Sequence, residues 1–160
     1  MQIASKKCQN LEQLKNFFKE LNDVPAQVVQ VYSAKSEEVN KKIISAFNQI
    51  LPLSTLMGVT AEETIFQNEV ELNLITAVAL RFEKSSFKLL RIESDSYQNA
   101  EKVAAEIEKD TKAVIVFSDD KYNNGDHFVE KLNKYSGEFI LAGGQAGRGC
   151  LDSQGYLFDK

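Results

Sequence analysis

The residues of this 160-residue chain best suited to chemistry gather in a few loops. Between Glu138 and Phe158, "EFILAGGQAGRGCLDSQGYLF" holds five of the eight glycines directly after an apolar run. Glycine-rich text in that place can offer backbone N–H groups to an anion. It is not a G-x-x-x-x-G-K-[ST] phosphate loop, because no Lys-Ser or Lys-Thr follows. Nor is it the G-x-G-x-x-G dinucleotide fingerprint, because no long amphipathic helix begins after Gly149. The plainer reading is a turn with positive φ angles, which glycine adopts freely. Upstream, "FSDDKYNNGDHF" sets Asp119, Asp120 and Asp126 around a strand end. Acids there could hold magnesium and serve a metal-dependent enzyme using Asp119 and Asp120; equally, Asp and Asn satisfy the backbone of turns. His127 is the single histidine. It has no Ser or Cys nucleophile at a triad spacing, and its alternatives are an axial haem ligand or a solvent-facing side chain. Cys150, two residues from Arg148, is either a thiol of lowered pKa or an incidental one. Tyr32 and Tyr122, near strand ends, line a pocket or pack in the core.

The elements that must position these residues alternate along the chain. "LEQLKNFFKEL" places Leu11, Leu14, Phe18 and Leu21 at helical spacing, with Asn10 as N-cap. "AQVVQVYSA" has the β-branched and aromatic content of a strand. "SEEVNKKIISAFNQIL" predicts a helix capped by Ser36, with Val39, Ile43, Phe47 and Ile50 on one face and Pro52 beyond its end. "STLMGVT" follows as a second strand. In "ELNLITAVALRFEKSSFKLLRIES" the pattern predicts two strands joined by a turn at Lys84-Ser85-Ser86, an antiparallel hairpin covered on both faces. "SYQNAEKVAAEIEKD" predicts a helix with Ala100, Val103, Ala104 and Ile107 inward. "KAVIVFSDD" reads as the most buried strand, "DHFVEKLNKYSG" as a helix closing at Gly137, and "EFILAGG" and "GYLFD" as the last strands. The fold class is therefore α/β, a mixed and mostly parallel sheet with flanking helices and an inserted antiparallel hairpin. In such sheets ligands bind beyond the carboxyl ends of the strands. That points to "SAKSEE", "GVTAEET", "SDDKYNNGD" and "GGQAGRG".

Size and composition narrow the function classes. The length suits one domain, residues 1–160, able to bury a core. A net charge of -4 with interleaved acids and bases gives no basic stripe for nucleic acid. Two distant cysteines supply neither a disulfide framework nor a zinc set. The N-terminus lacks the apolar core of a secretion signal, and no run has the length of a membrane span. The expectation is a cytoplasmic protein with reduced thiols. Its last residues, Phe158-Asp159-Lys160, sit inside an expected strand, so the chain is expected to be a piece of a longer protein.

Two loops together carry a resemblance. "LPLSTLMGVTAEETI" resembles the FIST-domain segment in which a strand ends in Gly, a small or Ser/Thr-rich turn, and Gly-Glu. "FILAGGQAGRG…GYLF" resembles the later segment in which a strand enters Gly-Gly-x-Ala-Gly, followed by an aromatic-containing strand. "AVIVFSDDKYNNGDHFVEKL" lies between them, where the family has a strand, an acidic loop and a helix. The match in order runs from about Val28 to the C-terminus and corresponds to the N-terminal portion of a FIST module. Gly58, Thr60, Gly143, Gly144, Ala146 and Gly147 match by position. Glu63-Thr64 stands where the family commonly has Gly-Glu, and Arg148 where it often has Asp. The resemblance implies a bacterial, cytoplasmic sensory domain without catalysis of its own. It would bind an amino acid or related small metabolite in a crevice formed by Gly58, Thr60, Glu62, Gly143, Gly144, Ala146, Gly147 and Arg148. It implies a fused or partner signalling domain such as diguanylate cyclase, histidine kinase or a chemotaxis domain. No resident cofactor is expected, although some members are haem-based nitric oxide sensors, the alternative in which His127 matters.

Overall fold

The computed structural model describes residues 1–23, 26–92, 99–119, 125–135, 139–147 and 157–159. Asp120, Tyr122, Arg148, Cys150 and the side chain of Asp126 lie outside the described residues.

The elements in chain order are β1 (Gln2–Cys8), α1 (Leu11–Glu20), β2 (Val28–Ser33), α2 (Glu37–Ile50), β3 (Thr55–Thr60), β4 (Glu63–Phe66), β5 (Glu69–Leu72), β6 (Ile75–Arg81), α3 (Asn99–Glu106), β7 (Ala113–Ser118), α4 (Gly125–Tyr135), β8 (Ile140–Gln145) and β9 (Leu157–Asp159). A five-stranded sheet has the order β1-β6-β2-β3-β9, and β4-β5 and β7-β8 form two-stranded sheets. The α/β class with a mixed sheet is as the sequence predicts. Parallel pairing, however, is confined to β2–β3 and β7–β8. The other described pairs run antiparallel.

Helix α1 starts where expected, because Asn10 Oδ1 accepts from the Gln13 N–H at 3.0 Å. Its Leu14, Phe17 and Phe18 are buried. In α2 the buried positions include Ile43, Ala46 and Phe47. Ser36 stands at the N-cap of α2 without a side-chain capping bond. The two helices meet through Phe18 and Phe47, edge to face with centroids 5.3 Å apart, an arrangement worth about 0.5–1.5 kcal/mol beyond its buried area. Together they cover one sheet face, whose inward residues are Val29, Val31, Leu56, Ile75, Ala77, Ala79 and Phe158. Period-two alternation puts Gln30, Tyr32, Met57, Val59 and Thr76 on the opposite face. That opposite face is where the site forms.

Two expectations need correction. The hairpin is not at Lys84-Ser85-Ser86. Strand β6 is bonded on both edges, by β1 and by β2, so it has no free edge for residues 87–92, which form no strand. The hairpin lies earlier, as β4–β5. Gln67 and Asn68 turn it with φ of 51° and 68°, the paired positive angles of a type I′ turn. A Lys7–Glu71 ion pair ties it to β1.

Strand β7 is also less enclosed than its apolar run predicts. Val116 packs against Ala100, Val103, Phe128 and Leu132 of α3 and α4, but Ile115 on the other face is 44% exposed. One face of β7–β8 is covered by helices and the other is open. The open face looks into the cleft described next.

Candidate functional cleft

Four strand ends converge at one side of the molecule. Strand β3 ends at Thr60, β2 at Ser33, β7 at Ser118 and β8 at Gln145. The chain is stitched across them: Ala61 N–H donates to Ser33 O at 3.0 Å, Ala146 N–H to Ser118 O at 2.7 Å, and Gly147 N–H to Thr60 O at 2.9 Å. Thr60 Oγ1 donates in return to Gly147 O at 2.7 Å. These backbone donors are committed to carbonyls, so the two loops are held together by a backbone ladder and those N–H groups form no anion nest.

Above this junction lies an open cleft of about 570 Å³, within the usual range for small-ligand sites of roughly 300–1,000 Å³. One wall is the helix-free face of the main sheet, with Gln30, Tyr32 and Val59. The other is the open face of β7–β8, with Ile115, Phe117, Ala142 and Gly144. Thr60, Ala61, Glu62, Gly143, Gln145 and Gly147 complete the lining. Tyr32 and Phe117 meet edge to face with centroids 5.8 Å apart, joining the walls. The Tyr32 hydroxyl donates to Gln30 Oε1 at 3.2 Å, and burial raises the Tyr32 pKa above the ordinary phenol value. Thr76, the ladder partner of Tyr32, is buried, and its hydroxyl meets no partner among the described residues.

Of the eight predicted residues, Thr60, Glu62, Gly143, Gly144 and Gly147 line the cleft. Gly58 does not. Its α-carbon faces the helix-covered side, where an added Cβ would sit 2.1 Å from the Phe158 ring. Ala146 is buried beside the cleft, its N–H on Ser118 O. Gly143 has a φ of +135°, and a Cβ there would lie 1.8 Å from the Val116 carbonyl oxygen. Glycine at that point is a requirement of the backbone.

"SAKSEE" satisfies itself instead of lining the cleft. Ser33 Oγ donates to Asn40 Oδ1 at 2.6 Å and accepts from the Lys35 N–H, while Lys35 Nζ bonds Asn73 Oδ1 at 2.9 Å. The Asp119 carbonyl accepts from Gln145 Nε2 at 3.2 Å. Among the described residues no group of three or more His, Cys, Asp or Glu comes together for a metal. His127 is exposed on α4 and outside the cleft lining, which does not fit a buried axial haem ligand.

The FIST N domain model matches residues 27–160, which is more than half of the chain. The chain belongs to the FIST family. No curated protein and no solved structure gives a significant match. Membership makes this a sensory domain of the kind found in signalling proteins. Among the described residues no helix is long and apolar enough to cross a membrane. The matched range contains every cleft residue, whereas β1 and α1 precede it.

The cleft residues that lie outside "GVTAEET" and "GGQAGRG" and that motif reading misses are Gln30, Ile115, Phe117 and Ala142. One had a legible signal: Gln30 interrupts the apolar "VVQVY", and a glutamine inside a buried strand needs a partner. The rest belong to runs that a sheet covered on both faces would bury equally well.

Proposed function

We propose that this FIST domain is the ligand-binding part of a cytoplasmic sensor, taking an amino acid or a related small metabolite into the cleft between β2–β3 and β7–β8. The observation that carries the reading is the cleft's construction. Its walls belong to two sheets joined by the Tyr32–Phe117 contact and the Thr60–Gly147 bonds. A ligand filling it touches both walls. Such a ligand can favour one arrangement of the two sheets over another, which is the differential affinity that sensing requires. The output is a signalling domain, in this polypeptide or a partner, of the diguanylate cyclase, histidine kinase or chemotaxis kind. The domain itself carries no chemistry.

The test is a thermal-shift screen of amino acids and small carboxylates, followed by amide chemical-shift mapping of any hit. A compound at about a hundred times its Kd stabilises the native state by about 2.7 kcal/mol. For a domain this size that is a rise of roughly 5–10 °C. Perturbations at Gly144, Gln145 and Phe117 are expected. A screen with no stabilising compound, or a hit mapping elsewhere, defeats the reading.

A further inference from the structure

The two strands of the β7–β8 wall present side chains of very different size to the cleft. Ile115 and Phe117 of β7 stand in parallel register with Ala142 and Gly144 of β8, and all four line the cleft. Bulk therefore runs along one strand and nearly bare backbone along the other, which forms a step beside the Phe117 ring. Gly143 is glycine because its φ of +135° requires it. Gly144 has no such need. Its φ lies outside the left-handed range, and an added Cβ would meet none of the described residues within 4 Å. Glycine inside a strand gives up stability relative to alanine and marks a place where a ligand or another backbone approaches closely. No described residue uses the missing side chain at Gly144, and Gly144 lines the cleft, so the close approach falls to the cleft's occupant. The surroundings are aromatic. Phe117, the register partner of Gly144, meets Tyr32 of the facing wall with ring planes 80° apart. Two rings so crossed offer a face and an edge to a third ring, the contacts that aromatic groups prefer.

We infer that the ligand of this cleft carries a flat aromatic ring, which lies on the bare backbone at Gly144 and packs against Phe117 and Tyr32. The ligand class is an aromatic amino acid or a close aromatic relative. A flat ring reaches the peptide plane of Gly144 and keeps its face on it, whereas a puckered or branched aliphatic body is thicker and makes fewer contacts there. The inference rests on the proposed binding role of the same cleft and adds the ligand's chemistry to it.

The test uses two probes on the full-length protein, L-phenylalanine and L-cyclohexylalanine, which share their charges and carbon skeleton and differ in the flatness of the ring. Binding is followed by calorimetry and by the α-proton resonances of Gly144. L-phenylalanine is expected to bind at least about fivefold more tightly, the scale of a well-placed aromatic contact. It should also move the Gly144 α-protons upfield, because protons beneath an aromatic face feel its ring current; the saturated ring has none. Gly144→Ala is expected to leave the melting temperature of the free protein unchanged, to weaken L-phenylalanine at least about tenfold, and to erase its preference over L-cyclohexylalanine. Equal binding of the two probes, no upfield shift at Gly144, or a Gly144→Ala variant with affinity and preference intact overturns the inference while the cleft remains a binding site. Aliphatic amino acids binding in the screen without any aromatic one does the same. If neither probe binds and the amino-acid screen is also blank, the binding role falls and the inference falls with it.

Discussion

Thr60 and Gly147, 87 residues apart, are joined by two hydrogen bonds: Gly147 N–H to Thr60 O at 2.9 Å and Thr60 Oγ1 to Gly147 O at 2.7 Å. The first is backbone alone and survives any side chain. The second depends on the hydroxyl of a threonine that is 1% exposed. Thr60→Val keeps the shape and removes the donor, leaving a carbonyl short of a partner, so a loss of about 1–2 kcal/mol is expected. Thr60→Ser should retain most of the stability. Urea unfolding of the two variants checks this, and a valine variant as stable as the parent would show that the hydroxyl contributes nothing to the junction.

Gly143 and Gly144 are adjacent and predicted to behave oppositely. An alanine Cβ at Gly143 would run into the Val116 carbonyl and sit at a φ of +135°, whereas at Gly144 none of the described residues comes within 4 Å. Gly143→Ala should lose upward of about 2 kcal/mol, through strain and displacement of the β7–β8 ladder. Gly144→Ala should fold normally and instead narrow the cleft. Thermal denaturation separates them. Equal stability of the two variants would mean the β8 backbone is not as described.

Much of the fold was legible because helix periodicity and capping are local. Asn10, the inward face of α1, and the Ile43–Phe47 stripe of α2 follow from spacing alone. What was not legible depends on partners distant in sequence. "QIASKKC" has the polar, lysine-bearing text of an edge strand, which resists recognition for the reason it resists aggregation. Its pairing with β6 took the edge on which the expected hairpin would have formed. Likewise "AVIVF" reads the same whether both faces are covered or one lines a cleft. The glycine motifs did find the junction. They misplaced Gly58 because a motif does not state which side of a strand its glycine opens, and Phe158, about a hundred residues on, takes that side.

Gly58 therefore yields a coupled prediction. Its missing side chain makes room for the Phe158 ring, which pairs β9 to β3 through the Gly58–Phe158 register. Gly58→Ala should destabilise by about 1–3 kcal/mol, as overpacking does in a filled core. Phe158→Leu should cost a similar amount through lost contacts. Combined, the two should cost less than their sum by at least about 0.5 kcal/mol, since the smaller side chain relieves the clash. A double-mutant cycle in urea measures the coupling, and strict additivity would separate the two residues.

Cys8 gives a prediction in pH. It closes β1, is fully buried against the main core, and burial pushes its pKa up to about 11, against an ordinary thiol value of 9.0. The folded state therefore keeps the thiol proton where the unfolded chain gives it up. Below about pH 9 both states are protonated and the group adds no pH dependence. From 9 towards 11 the unfolded chain binds fewer protons than the native state, so stability falls as pH rises, by at most about 1.4 kcal/mol per pH unit. Above about 11 both states are ionised and this contribution levels off. Tyr32, raised by its own burial, acts in the same direction above the ordinary tyrosine value of 10.0. Unfolding midpoints followed across this alkaline window should show a steep decline in the parent, a shallower one in Cys8→Ala, and the least in Cys8→Ala combined with Tyr32→Phe. Parallel curves for the parent and Cys8→Ala would show that the thiol titrates alike in both states and is not sealed in the core.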